Sequence, residues 1–217
     1  MDLGLAGRVA LITGAHRGTG VGIAHALAEE GATVLVQGHE PGQAEPIVRD
    51  VEAAGGRAVA LAGDVRTEHG AAALVDAVRA VVPRVDILVN NYGVPEGSDW
   101  GASDSTSWHA SYEHNVVSAV RLVEAFVPDM RAAGWGRVVF LATVGATRPG
   151  DRIPEYYAAK GALPSVAVSL AKHLAGTGIT VNCVSPGVIA TAEVVEGAAA
   201  RLARAGAPDD WPAVAQE

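Results

Sequence analysis

The chain has 217 residues, 49% of them hydrophobic and only 5% aromatic, which suits one domain with a sizeable core built mainly from Ala, Val and Gly. Its net charge of −8 opposes a nucleic-acid or anionic-membrane surface, and the single Cys183 excludes an internal disulfide. No apolar run is long enough to span a bilayer and no signal-peptide pattern opens the sequence, so a soluble protein in a reducing, cytoplasmic setting is expected.

Short β-branched runs alternate with longer Ala-rich stretches. Strands are predicted at 8–13, 33–37, 58–62, 86–90, 137–142 and 180–184, and helices at 18–30, 42–54, 68–81, 107–133 and 155–175. Nearly all-apolar strands separated by helices imply an α/β fold of Rossmann type, a doubly wound parallel sheet of six strands in one domain. After Thr191 the rhythm breaks into a lid segment, about 191–217, with a helix at 193–204 and a second short helix from Asp209.

The first strand ends in Thr13-Gly14-Ala15-His16-Arg17-Gly18-Thr19-Gly20 and a helix follows. Glycines let the backbone approach a pyrophosphate without a Cβ clash, and the helix N-terminus offers free N–H groups and a positive dipole end. The loop follows a strand, opens a helix and begins a βαβ unit, which is the setting of a nicotinamide dinucleotide site. An acid at the end of the second strand would bind the ribose hydroxyls of NAD. Here the sequence is Gln37-Gly38-His39, with no acid. Arg17 can pair with a 2′-phosphate, aided by His16 and His39, which favours NADP and leaves NAD as the alternative. On the opposite reading Arg17 is an ordinary solvated charge.

Tyr156-Tyr157-Ala158-Ala159-Lys160 contains Y-x-x-x-K, which on a helix puts Tyr156 and Lys160 on one face. Nearby positive charge would lower the tyrosine pKa toward the neutral range, allowing Tyr156 to exchange a proton with a substrate hydroxyl or carbonyl. Tyr157 has Gly161 four residues on and lacks the lysine.

Taken together these residues resemble the short-chain dehydrogenase/reductase family over about 7–191. Thr13–Gly20 is similar to the family's T-G-x-x-x-G-x-G, and Asn90-Asn91-Tyr92-Gly93 to its N-N-A-G, which would bring Asn91 and Gly93 to the cofactor. The resemblance implies that Asp64, with Val65, holds the adenine amino group, and that Pro186, Gly187, Ile189 and Thr191 lie beside the nicotinamide. It implies that Lys160 binds the nicotinamide ribose and lowers the Tyr156 pKa. Asn115, spaced suitably after Trp108, would anchor a proton-relay water, and Thr143, thirteen residues before Tyr156, would replace the family's substrate-orienting Ser. Threonine keeps the oxygen but stiffens χ1.

The resemblance thus implies an NADP-dependent oxidoreductase that interconverts a secondary alcohol and a ketone, acting on a small molecule as a homodimer or homotetramer. The competing reading is a non-catalytic member that binds dinucleotide or a partner. Three departures bear on it. Tyr92 replaces a small residue and must turn away from the cofactor or crowd it. Pro164 is expected to kink the helix beside Lys160. The family's final helix and seventh strand are not recognisable before Glu217, which would leave the sixth strand at an edge.

Overall fold

The computed structural model describes residues 3–205, so the helix expected from Asp209 lies outside the described residues. Six strands, β1 (Val9–Ile12), β2 (Thr33–Gly38), β3 (Arg57–Ala62), β4 (Ile87–Asn90), β5 (Gly136–Leu141) and β6 (Ile179–Val184), form one sheet in the order β3-β2-β1-β4-β5-β6. All neighbours pair in parallel, with Leu11 opposite Leu35 on one side and Leu88 on the other.

Strand alternation explains why both faces are covered. Leu11, Leu35, Leu88, Val138 and Phe140 point into one core with α3 (Glu68–Val81), α5 (Ser118–Ala132) and α6 (Pro154–His173). Ala10, Ile12, Val34, Val36 and Val89 point into the other, with α1 (Thr19–Glu29) and α2 (Glu45–Ala53). Leu11, Leu35, Leu74 and Leu88 are wholly buried, and burial of each side chain contributes roughly 1.5–3 kcal/mol. Gly31, Gly55 and Gly134 follow α1, α2 and α5 with positive φ, as helix-ending glycines do.

Most predicted elements shift by one to three residues at their ends. The long helix expected at 107–133 differs more. It consists of α4 (Ser105–Tyr112) and α5 joined by a π-helical turn, Glu113–Val117. Asp104 starts α4 two residues earlier than expected, because it accepts from the Ser107 N–H while the Ser107 hydroxyl accepts from its own N–H. In the π turn the Ser118 N–H reaches back five residues to the Glu113 carbonyl, and the Ser118 hydroxyl takes the bypassed His114 carbonyl at 2.6 Å. The turn holds Asn115, and π turns of this kind gather at functional sites.

α6 continues without a break through Pro164, so the proline does not divide the helix beside Lys160. Loss of its hydrogen bond costs about 3 kcal/mol, which the burial of Leu163 and Ala167 on either side helps to offset. The lid helix expected at 193–204 is α7 (Ala192–Ala205). Among the described residues β6 pairs with β5 alone, and Thr180, Asn182 and Val184 are exposed. No helix among them is long and apolar enough to cross a membrane.

The strand order reverses beside β1. From there the chain winds one way through β2 and β3 and the other way through β4, β5 and β6. The loops after β1 and β4 therefore diverge at the carboxyl ends of those strands and leave a crevice between them, which is where open α/β sheets bind ligands.

Candidate active site

A cleft of about 650 Å³ opens at that crevice. On one side it is lined by Gly14, His16, Arg17, Gly18 and Thr19 of the glycine loop, and by His39 after β2. Gly14 and Gly18 have φ of 62° and 59°, where a side chain would be strained. Gly18 ends the loop as the N-cap of α1 and offers no side-chain cap, so no capping side chain claims the N–H groups of the first turn. That combination fits a dinucleotide pyrophosphate. Gly20 serves differently from expectation. It is buried away from the cleft lining, and a Cβ there would stand 2.6 Å from the Ala15 Cα, so it allows loop and helix to pack.

Two polar side chains hold this loop in place. Asn91, in the cleft wall, donates to the Thr13 carbonyl at 2.8 Å, and the Thr13 hydroxyl accepts from the Tyr92 N–H at 2.9 Å. Gln37 was not among the expected site residues. It is wholly buried at the end of β2, accepts from the Gly14 N–H at 2.7 Å and donates to the Gly38 and Gly63 carbonyls. A glutamine in an otherwise apolar strand is the sequence signal that marks it. Gly38 itself is packed against Gln43 and lies outside the cleft lining.

On the adenosine side, Asp64 carries an ion pair of its own. The Asp64 carboxylate accepts from Nε and Nη2 of Arg66, each at 2.8 Å, which keeps its pKa down at about 2. Neither Asp64 nor the buried Val65 lines the cleft. The His39 Nδ1 is 3.4 Å from Asp64, and burial lowers the His39 pKa. Tyr92 has not turned out into solvent. Its ring lines the cleft and stands edge-on to His39 at 4.8 Å, and His39 in turn stands edge-on to His16 at 5.7 Å. Burial pushes the Tyr92 phenol up to about 12.

On the other side of the cleft lie Thr143, Tyr156 and Lys160, brought together from the end of β5 and the first two turns of α6. Lys160 is buried. Its ammonium donates to the Leu141 carbonyl at 2.8 Å and reaches the Tyr92 carbonyl at 3.4 Å, and burial lowers its pKa to about 8. Without a nicotinamide beside it, burial, and then Tyr157, push the Tyr156 phenol up. Tyr157 lies outside the cleft lining and packs on Gly145, where a Cβ would meet its ring at 2.3 Å. The Thr143 hydroxyl accepts from the Gly145 N–H at 3.2 Å while facing the cleft.

Asn115 stands behind the cleft. Its Oδ1 accepts from the Val94 N–H at 2.9 Å and its amide donates to the Val94 and Ser111 carbonyls, so it clamps the chain leaving β4. Pro186, Gly187, Ile189 and Thr191 complete the lining after β6, and the Pro186 carbonyl accepts from the Val144 N–H at 3.0 Å.

The short chain dehydrogenase family profile matches residues 8–201. The chain belongs to this family. It is 36% identical over 189 residues to the oxidoreductase YvaG of Bacillus subtilis, covering 86% of this chain and 70% of that protein. It is 32% identical over 185 residues to the ketoacyl reductase HetN of Nostoc, covering 85% of this chain and 64% of the relative. Among solved structures, L-sorbose reductase of Gluconobacter frateurii complexed with NADPH and L-sorbose superimposes with a TM-score of 0.91 at 33% identity. That match covers 99% of this chain and 81% of the reductase. The expected parallel sheet and dinucleotide cleft are thus those of an alcohol–ketone oxidoreductase family.

Proposed function

We propose that this chain is an NADP(H)-dependent oxidoreductase that interconverts a secondary alcohol and a ketone. The observation that carries the reading is one cleft lined by the glycine loop, the side-chain-free N-cap of α1 and the Thr143–Tyr156–Lys160 group. A binding-only protein has no need of the last three, which weighs against the non-catalytic alternative.

When bound, the nicotinamide supplies hydride to a carbonyl carbon or accepts it from an alcohol. Tyr156 gives its phenolic proton to the carbonyl oxygen in reduction and takes a proton from the hydroxyl in oxidation. Thr143, fixed by the Gly145 N–H, orients that oxygen. Lys160, in the same cleft, brings a cation that would oppose the burial keeping the Tyr156 phenol neutral. Asn115 positions the loop that carries Gly93 and Val94 beside the lysine.

NADP rather than NAD is favoured by Arg17, exposed on the cleft rim, and by the lack of an acid at the end of β2. The NADPH in the solved L-sorbose reductase is consistent with that preference. A cytoplasmic setting and assembly into a homodimer or homotetramer belong to the same reading. The test is a fluorescence titration with NADPH and NADH, followed by turnover assays with L-sorbose and an acetoacetyl thioester. NADPH binding with oxidation by at least one ketone is the expected result. Failure to bind either dinucleotide would overturn the reading.

A further inference from the structure

Glu155 precedes the tyrosine proposed as the acid/base, yet neither the Y-x-x-x-K spacing nor the cleft lining includes it. It is 1% exposed, at the second residue of α6. A carboxylate withdrawn from water is costly unless other groups receive it. The first turn of a helix supplies favourable dipole charge, and the segment 95–103 that follows β4 receives one oxygen, while Oε2 is buried without a hydrogen-bond partner among the described residues. The Glu155 Oε1 accepts from the Ser98 N–H at 3.2 Å and lies 3.5 Å from the Ser103 hydroxyl.

The same segment meets the start of α6 at further points. The Ile153 N–H donates to the Ser98 carbonyl at 3.1 Å, and Asp99 and Arg152 form an isolated antiparallel bridge. Gly97 lies against the carboxylate with φ of 143°, and a Cβ there would stand 2.5 Å from the Glu155 Cδ. Ile153 has φ of 49° and ψ of 50°, a strained setting for a β-branched residue, while its carbonyl accepts from the Tyr156 N–H at 3.1 Å. The segment is also fixed at its entrance, where Asn115 holds Val94, and its Pro95 lines the cleft.

We infer that Glu155 is a positioning residue that latches the 95–103 strap onto the first turn of the tyrosine-bearing helix and so fixes the substrate wall opposite Tyr156. The strap adopts a closed course because a buried acceptor awaits its Ser98 N–H and Gly97 lets the backbone reach it. The helix start is held in turn through Ile153, so strap and tyrosine move together. This inference rests on the oxidoreductase reading only for its kinetic consequence; the latch itself can be measured without turnover.

Hydrogen exchange of the full chain tests the latch. In Glu155→Ala the amides of 96–103 should exchange at least about tenfold faster, with sheet amides unchanged. Glu155→Gln keeps an acceptor oxygen and should stay within about threefold of the original. Gly97→Ala leaves α6 intact yet places a methyl against the carboxylate, and should reproduce the Ala pattern. With a ketone that the unaltered protein reduces, Glu155→Ala should raise KM at least about tenfold while NADPH affinity stays within about twofold, and Gln should restore KM. Unchanged strap exchange in both Glu155→Ala and Gly97→Ala would overturn the latch. Faster exchange with unchanged KM and kcat would overturn the positioning role. An unaltered protein that reduces no ketone would overturn the oxidoreductase reading, a result distinct from either exchange outcome.

Discussion

A carbon placed on Gly93 would stand 2.3 Å from the Lys160 ammonium nitrogen. The glycine is therefore the space into which the lysine reaches on its way to the Leu141 carbonyl. Gly93→Ala should displace the ammonium from its place against the Leu141 carbonyl. A misplacement of about 1 Å can cost about a hundredfold in rate, so kcat should fall by that order. Steady-state kinetics of the alanine variant, with its melting temperature as a control for folding, check this. An unchanged kcat would show that Lys160 acts from another position.

Lys160 also makes stability depend on pH with a defined sign. Its pKa falls from 10.5 to about 8 on folding, so between those values the unfolded chain holds more protons and stability rises with pH. Below about 8 both states are charged and the folded one bears the full burial cost. The unfolding free energy of the unaltered protein minus that of Lys160→Met should increase by about 3 kcal/mol from neutral pH to above 10.5, without dinucleotide. Urea unfolding at several pH values measures this difference. A flat difference would show that the buried amine is not depressed.

Much of this arrangement is legible in the sequence because it depends on spacing along single elements. The glycine loop lies between a strand and a helix, and Tyr156 and Lys160 are one helical turn apart, so both could be placed before any tertiary contact was known. The parallel sheet follows from apolar strands separated by helices. The residues that escaped notice act across elements. Gln37 binds Gly14 from a neighbouring strand, Glu155 receives a strap more than fifty residues away in sequence, and the π turn around Asn115 leaves no mark in the 3.6-residue periodicity. Asp64 adds a local pair that the spacing does not show: the side chain of Arg66, two residues on, engages its carboxylate.

On the proposed function, cofactor preference turns on Arg17. It is exposed on the cleft rim, and no acid at the end of β2 stands to repel a ribose phosphate. A charge-assisted pair to phosphate is worth roughly 1.5–3 kcal/mol, so Arg17→Ala should reduce the NADPH-over-NADH affinity ratio by roughly ten- to a hundredfold. Fluorescence titration of both dinucleotides against both proteins gives the ratio. Equal affinities in the unaltered protein would contradict the assignment to NADP.

On the proposed function, the phenol of Tyr156, and not that of its neighbour, exchanges the substrate proton. Tyr156 lines the cleft with Lys160 and Thr143, whereas Tyr157 packs on Gly145. Single-turnover transfer of deuterium from 4-deuterated NADPH to a reducible ketone, followed in Tyr156→Phe and Tyr157→Phe, tests it most directly. Tyr156→Phe should bind NADPH within about threefold of the unaltered protein yet lose transfer by at least about a thousandfold, while Tyr157→Phe should keep most of it. Full transfer in Tyr156→Phe, or its loss in Tyr157→Phe alone, would rule out Tyr156 as the proton donor.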